Sequence, residues 1–202
     1  IDWSKAPNKA TYIANSNCNA GRRNKWFAAV AAAMQVEAYG SCEHNTELPA
    51  GVSLATLEER LEVMKLNRIV LVLEAGNDKD YITSQVWEAL LAGSVPAIFG
   101  AVNLDKRLPN KSAIFANNFN NWDKFAAYIK EVAESQTLWE SFHAWRSDES
   151  ELQKFETMVA FTRTHPDCRL CRWAYAKQYG LGWNHSQLTI QESRIPRKLC
   201  VG

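Results

Sequence analysis

The sequence predicts an α/β fold, a parallel sheet with helices on both faces, followed by further helices at the C-terminal end. Three observations carry this. The runs "RIVLVL" and "VPAIF" are continuously apolar and rich in Ile and Val, as strands buried on both faces are. Helix-period segments separate the short apolar runs, so strands alternate with helices and the sheet is parallel. Beyond residue 121 a nearly unbroken helical pattern takes over.

In order along the chain, "ATYIANS" (10–16) reads as a short strand ending in polar residues, "NAGRRN" (19–24) as a loop, and "KWFAAVAAAM" (25–34) as an alanine-rich helix. "VEAYG" is a second strand, closed by Gly40. In "SLATLEERLEVMKLN" the residues Leu54, Leu57, Leu61 and Met64 form a helical stripe, with Ser53 as its N-cap. "RIVLVLEAG" is the first fully buried strand. Thr83 caps the next helix, which runs through Leu91 and stops at Gly93. "PAIFG" and "SAIFA" are further strands. Residues 122–165 read as one to three helices packing back on the sheet. No repeat or linker interrupts the pattern, so residues 1–202 form one domain, with a sheet core over 1–121 and a helical tail over 122–202.

The 202 residues are 47% apolar, enough for a substantial core. A formal charge of +1 argues against a dominant nucleic-acid or membrane-surface role. The longest apolar run, Trp26 to Met34, is too short to span a bilayer. The chain begins with Ile rather than Met and reads as a processed form or fragment. The cysteines, Cys18, Cys42, Cys168, Cys171 and Cys200, are too few for a disulfide scaffold. "CRLC" has the spacing of a redox motif or half a zinc site, but no second such pair and no spaced histidine pair completes it. A local disulfide or reduced core thiols is the simpler reading. His44, His143, His165 and His185 share no ligand spacing, so no metal is expected. Two N-x-S triplets, at Asn110 and Asn184, permit a secretory history. Trp122, Trp139, Trp145 and Trp183 suit either a docking surface or the core.

In an open parallel sheet, ligands bind beyond the carboxyl ends of the strands. Three such ends carry candidates. The loop "NSNCNAGRRN" leads into a helix N-terminus and offers Arg22 and Arg23 to an anion, or merely to solvent. Glu74 follows a buried strand, where a carboxylate either functions or caps a loop. Gly100 ends the third. Neither G-x-G-x-x-G nor a P-loop is present. The acidic "DESE" (148–151) reads as a helix start.

Read together, "SNCNAGRRN", "VEAYGSCEHN", "LEAGNDKDYITSQVWEALLAGSVPAIFG", "LPNKSAIFANNF" and "WESFHAW" resemble, in order and spacing, the C-terminal half of the α-1,3-fucosyltransferases, glycosyltransferase family 10. "CRLC" is similar to a C-terminal cysteine motif of eukaryotic members. The resemblance implies the donor half of a GT-B fold, built from two Rossmann-like domains. It implies GDP-fucose as donor, no metal or other cofactor, and inverting transfer to a glycan acceptor. Arg23 matches the family's loop Arg, Tyr81 its Tyr, and Glu74 the Glu of Phe-Glu-Asn. Arg22 and Asn24 beside Arg23 are secondary donor contacts. The family's Asn falls on Ala75, and its Glu-Lys pair on Ser84 and Gln85, so one of two diphosphate cations is missing. The acceptor domain, which supplies the family's catalytic base, lies outside the match.

These departures predict a fucosyltransferase-like domain that has lost transfer and serves a structural or interaction role beside other protein subunits. The alternative is an active enzyme moving fucose or another sugar from a GDP-sugar to a glycan. The resemblance implies the Golgi lumen, with Cys18–Cys42 and Cys168–Cys171 oxidised and Cys200 left odd. Recruitment to an organellar complex would leave those thiols reduced.

Overall fold

The computed structural model describes residues 2–163, 165–180, 183–184 and 189–190. They divide into two compact units, residues 1–148 and 149–202. In the first, five strands form one sheet: β1 (Ala10–Ile13), β2 (Val36–Tyr39), β3 (Ile69–Leu73), β4 (Val95–Phe99) and β5 (Ile114–Phe115). Their spatial order is β2-β1-β3-β4-β5 and every pairing is parallel, which confirms the α/β reading. Crossovers run through α1 (Gly21–Ala33), α2 (Leu57–Met64) and α3 (Ser84–Ala92). The chain then adds α4 (Trp122–Glu134) and α5 (Gln136–Ser141).

All five residues of β3 and all five of β4 are buried, as their unalternating sequences require. Helix α1 packs beside α4, and α2 beside α3. Alternate strand residues, among them Tyr12, Leu71 and Phe99, join Phe27 and Val30 of α1 and Phe125 and Ile129 of α4 in one core cluster. Trp139 and Phe142 extend it, so α4 and α5 pack back on the sheet. Trp145 is likewise buried, whereas Trp122 is 42% exposed. The side chain of Trp183 lies outside the described residues.

Two helix starts differ from expectation. Helix α1 begins at Gly21, four residues before the expected start at Lys25, so Arg22, Arg23 and Asn24 lie in its first turn rather than in a loop. Its N-cap, Ala20, makes no side-chain bond, and nothing local marks the start. Helix α2 is capped by Thr56 in a reciprocal box with Glu59, not by Ser53. The Ser53 hydroxyl instead donates to the Glu59 carboxylate. Helix α3 ends as predicted, with Gly93 in the left-handed region at φ 86°.

The second unit contains α6 (Glu149–Arg163), α7 (Pro166–Gln178) and a short antiparallel pair, β6 (Trp183–Asn184) with β7 (Thr189–Ile190). Glu149 and Glu151 sit in the first turn of α6, as the acidic run predicts.

Cys18 and Cys42 are joined as a disulfide, with Cα atoms 5.0 Å apart. The second pairing implied by the resemblance is corrected: Cys168 and Cys171, both on α7, are not joined to each other. Three residues apart on a helix, Cβ atoms stand about 5–6 Å from each other, beyond the roughly 3.5–4.5 Å that a disulfide spans. Cys200 lies outside the described residues.

Candidate functional site

The strand order reverses between β1 and β3, because the crossover after β1 runs to one side and the next returns to the other. A cleft is expected beyond the carboxyl ends of those two strands. One of about 320 Å³ lies there. Its walls are the segment after β1 (Ala14 to Asn17), Arg23 of α1, Glu74 and Ala75 after β3, and Tyr81 with Thr83, Ser84 and Gln85 at the start of α3. Arg23, Glu74 and Tyr81 therefore meet in one place, together with Ala75, Ser84 and Gln85.

Arg22 and Asn24 do not line it. Arg22 is exposed, and its Nη1 donates to Asn77 Oδ1 at 3.3 Å. Asn24 Nδ2 donates to the Cys18 carbonyl at 2.7 Å and ties the loop to α1.

Arg23 is buried, 5% exposed. Its Nη2 donates to the carbonyls of Ser16 (3.2 Å) and Asn17, and approaches Cys42 Sγ at 3.8 Å. Its Nε is buried with no acceptor. The guanidinium thus clamps the loop after β1, which the Cys18–Cys42 disulfide anchors to the segment after β2. Gly40 lets the two segments meet: its φ is 97°, and a Cβ there would strike the Asn15 side chain and the Ala14 carbonyl.

Glu74 is 6% exposed. Its Oε1 accepts from the Thr83 hydroxyl at 2.7 Å and the Thr83 amide at 3.0 Å. Thr83 occupies the N-cap position of α3, but its side chain makes no capping bond and serves the carboxylate instead. Burial pushes the Glu74 carboxyl above the usual carboxylate range, while the Thr83 bonds and the Arg23 charge pull the other way. Gln85 is committed too, donating from Nε2 to the Ile13 carbonyl at 2.9 Å. Tyr81, 43% exposed, follows a braced turn: Asp80 Oδ1 accepts from Asn103 at 2.8 Å and from Arg107 at 2.9 Å.

Among the described residues lining the cleft, the charges are one guanidinium and one carboxylate, so the site is close to neutral. The sequence did not reveal that Asn15, Ser16 and Asn17 would form a wall, although their place after a strand end was the available signal. A larger cleft of about 530 Å³ lies beside β5, between Phe115, Phe119, Tyr128 and Phe142. It holds none of the donor-site candidates named from sequence and lies away from the strand-order reversal, so the smaller cleft is the candidate site. Among the described residues no group of His, Cys, Asp or Glu is placed to hold a metal ion. None of their helices is long and apolar enough to cross a membrane.

Residues 4–182 match the family model described as glycosyltransferase family 10 (fucosyltransferase), C-terminal. Over 115 residues the chain is 36% identical to GDP-fucose protein O-fucosyltransferase 3 of Xenopus laevis, covering 55% of this chain and 24% of the relative. It is 27% identical over 143 residues to α-(1,3)-fucosyltransferase B of Drosophila melanogaster, covering 67% and 32%. The chain thus spans about a quarter to a third of the length of these relatives. A crystal structure of an α1,3-fucosyltransferase with GDP-fucose superposes with a TM-score of 0.60 at 21% identity, over 70% of this chain and 39% of that one. At that identity the likeness speaks for the fold.

Proposed function

Because the chain belongs to glycosyltransferase family 10, through that family's C-terminal domain, we propose that it is a fucosyltransferase-like domain which keeps the donor cleft as a shape and has lost transfer. Its role is structural or interactive, within an assembly that includes other protein subunits. The observation that carries this reading is the charge of the cleft. A departing nucleoside diphosphate gathers negative charge, and removing one preorganised donor to such charge typically costs roughly 10²–10³ in rate. Here Nη2 of Arg23 is held by loop carbonyls. At the position of the family's Lys, Gln85 is neutral and holds the Ile13 carbonyl. Calorimetry with GDP and GDP-fucose tests the reading, and micromolar binding overturns it.

One observation favours a second reading, an active transferase using GDP-fucose and a glycan acceptor: Arg23, Glu74 and Tyr81 do line one cleft. In that case Arg23→Ala abolishes turnover across a panel of sugar nucleotides. Unchanged turnover removes this reading. The Cys18–Cys42 disulfide supports an oxidising, secretory location such as the Golgi lumen under either reading.

A further inference from the structure

We propose that Asn110 is an N-glycosylation acceptor. The triplet Asn110-Lys111-Ser112 satisfies the N-x-S rule with a residue other than Pro in the middle. It occupies a β-turn: the Ser112 amide donates to the Pro109 carbonyl at 3.2 Å, and Lys111 is in the left-handed region at φ 53°. Asn110 is exposed at the tip of that turn, where a bulky oligosaccharide can be carried without opening the core.

Ser112 supplies the second observation. It is 1% exposed, and its hydroxyl is buried with no hydrogen-bond partner. A buried, unsatisfied hydroxyl costs free energy that Ala would avoid at nearly the same volume. The folded turn gives no reason for Ser here. The modification does, because the transferase reads this hydroxyl in the acceptor triplet before the turn closes over it. The other triplet cannot be compared, since His185 and Ser186 lie outside the described residues.

The reaction needs a lipid-diphosphate-linked oligosaccharide as co-reactant. The Asn110 carboxamide nitrogen bonds to the anomeric carbon of the first sugar. The carbon–oxygen bond to the diphosphate breaks, the diphosphate leaves with the electron pair, and the amide proton passes to the transferase's base. The proposal rests on passage through the secretory pathway, which the Cys18–Cys42 disulfide supports, and not on the state of the donor cleft. Asn110 also lines the cleft beside β5, so its glycan would stand over the Phe119 and Tyr128 rings and close that cleft to other ligands.

The full chain is expressed behind a cleavable secretory leader in eukaryotic cells, and total protein is treated with a peptide N-glycosidase, so that the readout does not depend on folding. The expected result is a glycosidase-sensitive mobility shift that loses one glycan in Asn110→Gln and in Ser112→Ala, and keeps that glycan in Ser112→Thr and Asn184→Gln. Mass spectrometry then finds the glycosidase-generated aspartate at position 110. A parent chain unaffected by the enzyme, or an Asn110→Gln variant with the parent's mobility, overturns the proposal. Calorimetry with GDP-fucose is indifferent to either outcome, so this proposal and the reading of the donor cleft fail separately.

Discussion

Two arginines at opposite ends of the sheet show how similar geometry carries different meaning. Arg68, just before β3, donates from Nη1 to the Ala133 carbonyl at 2.8 Å and from Nη2 to the Trp3 carbonyl at 3.0 Å. Its guanidinium lies 3.3 Å from the centre of the Trp3 ring. Arg23, beyond the far end of β1, also donates from Nη2 to backbone carbonyls. Both leave Nε buried without an acceptor. Arg68 lines neither of the two clefts described above, and it ties the N-terminal segment to the end of α4. An unmatched Nε is therefore no evidence of a ligand in this fold, and Arg23 resembles a clamp more than a free phosphate-binding group. Arg23 differs in its setting, the cleft it shares with Glu74 and Tyr81.

Arg68→Ala removes two charge-assisted bonds and a stacked ring, and is expected to cost about 3–4 kcal/mol in urea unfolding. The N-terminal end of the sheet should also fail in acid. His143 donates from Nε2 to the Gly93 carbonyl at 2.9 Å, and burial, followed by the Arg146 charge, lowers its pKa to about 4. A depressed folded pKa means that its contribution is present above the unfolded value of 6.5 and is lost as pH falls through about 4. The loss should be about 2–3 kcal/mol, and His143→Gln should flatten the curve between those values.

Arg23→Ala should cost about 2 kcal/mol if Arg23 is a clamp. Unchanged stability would separate it from Arg68 and return it to ligand binding. The smallest effect is expected at Glu74, where the sign is opposite to that of His143. Its folded pKa is raised, so its stabilising contribution is full below the unfolded value and is lost as pH rises through the folded one. Glu74→Gln keeps an acceptor for Thr83 and should raise stability at neutral pH, an increase readable as a higher melting temperature.

The sheet was legible because β3 and β4 are apolar on both faces, a pattern that surface segments do not show. The end of α3 was legible because Gly93 is an αL stop. The start of α1 was not, since Ala20 carries no capping signal and the first turn is polar. The cap of α2 was written in the sequence as Thr56 and Glu59, three residues apart, but Ser53 stood first in line. Within the site, the meeting of Arg23 and Glu74 followed from strand-end topology, and that of Tyr81 from the family resemblance. The partners of each were hidden. That Thr83 would serve Glu74 rather than its own helix, and that Gln85 would reach back 72 residues to Ile13, depends on how separate segments pack.

On the proposed reading, the cleft keeps its form without the charge to hold a diphosphate. Titration calorimetry of the parent chain and of Gln85→Lys with GDP-fucose tests it most directly. The expected result is no micromolar binding by the parent and a gain of about tenfold or more in Gln85→Lys, the worth of one charge-assisted hydrogen bond, about 1.5–3 kcal/mol. A parent that binds GDP-fucose with a Kd of about 1 μM, near −8 kcal/mol, would contradict it.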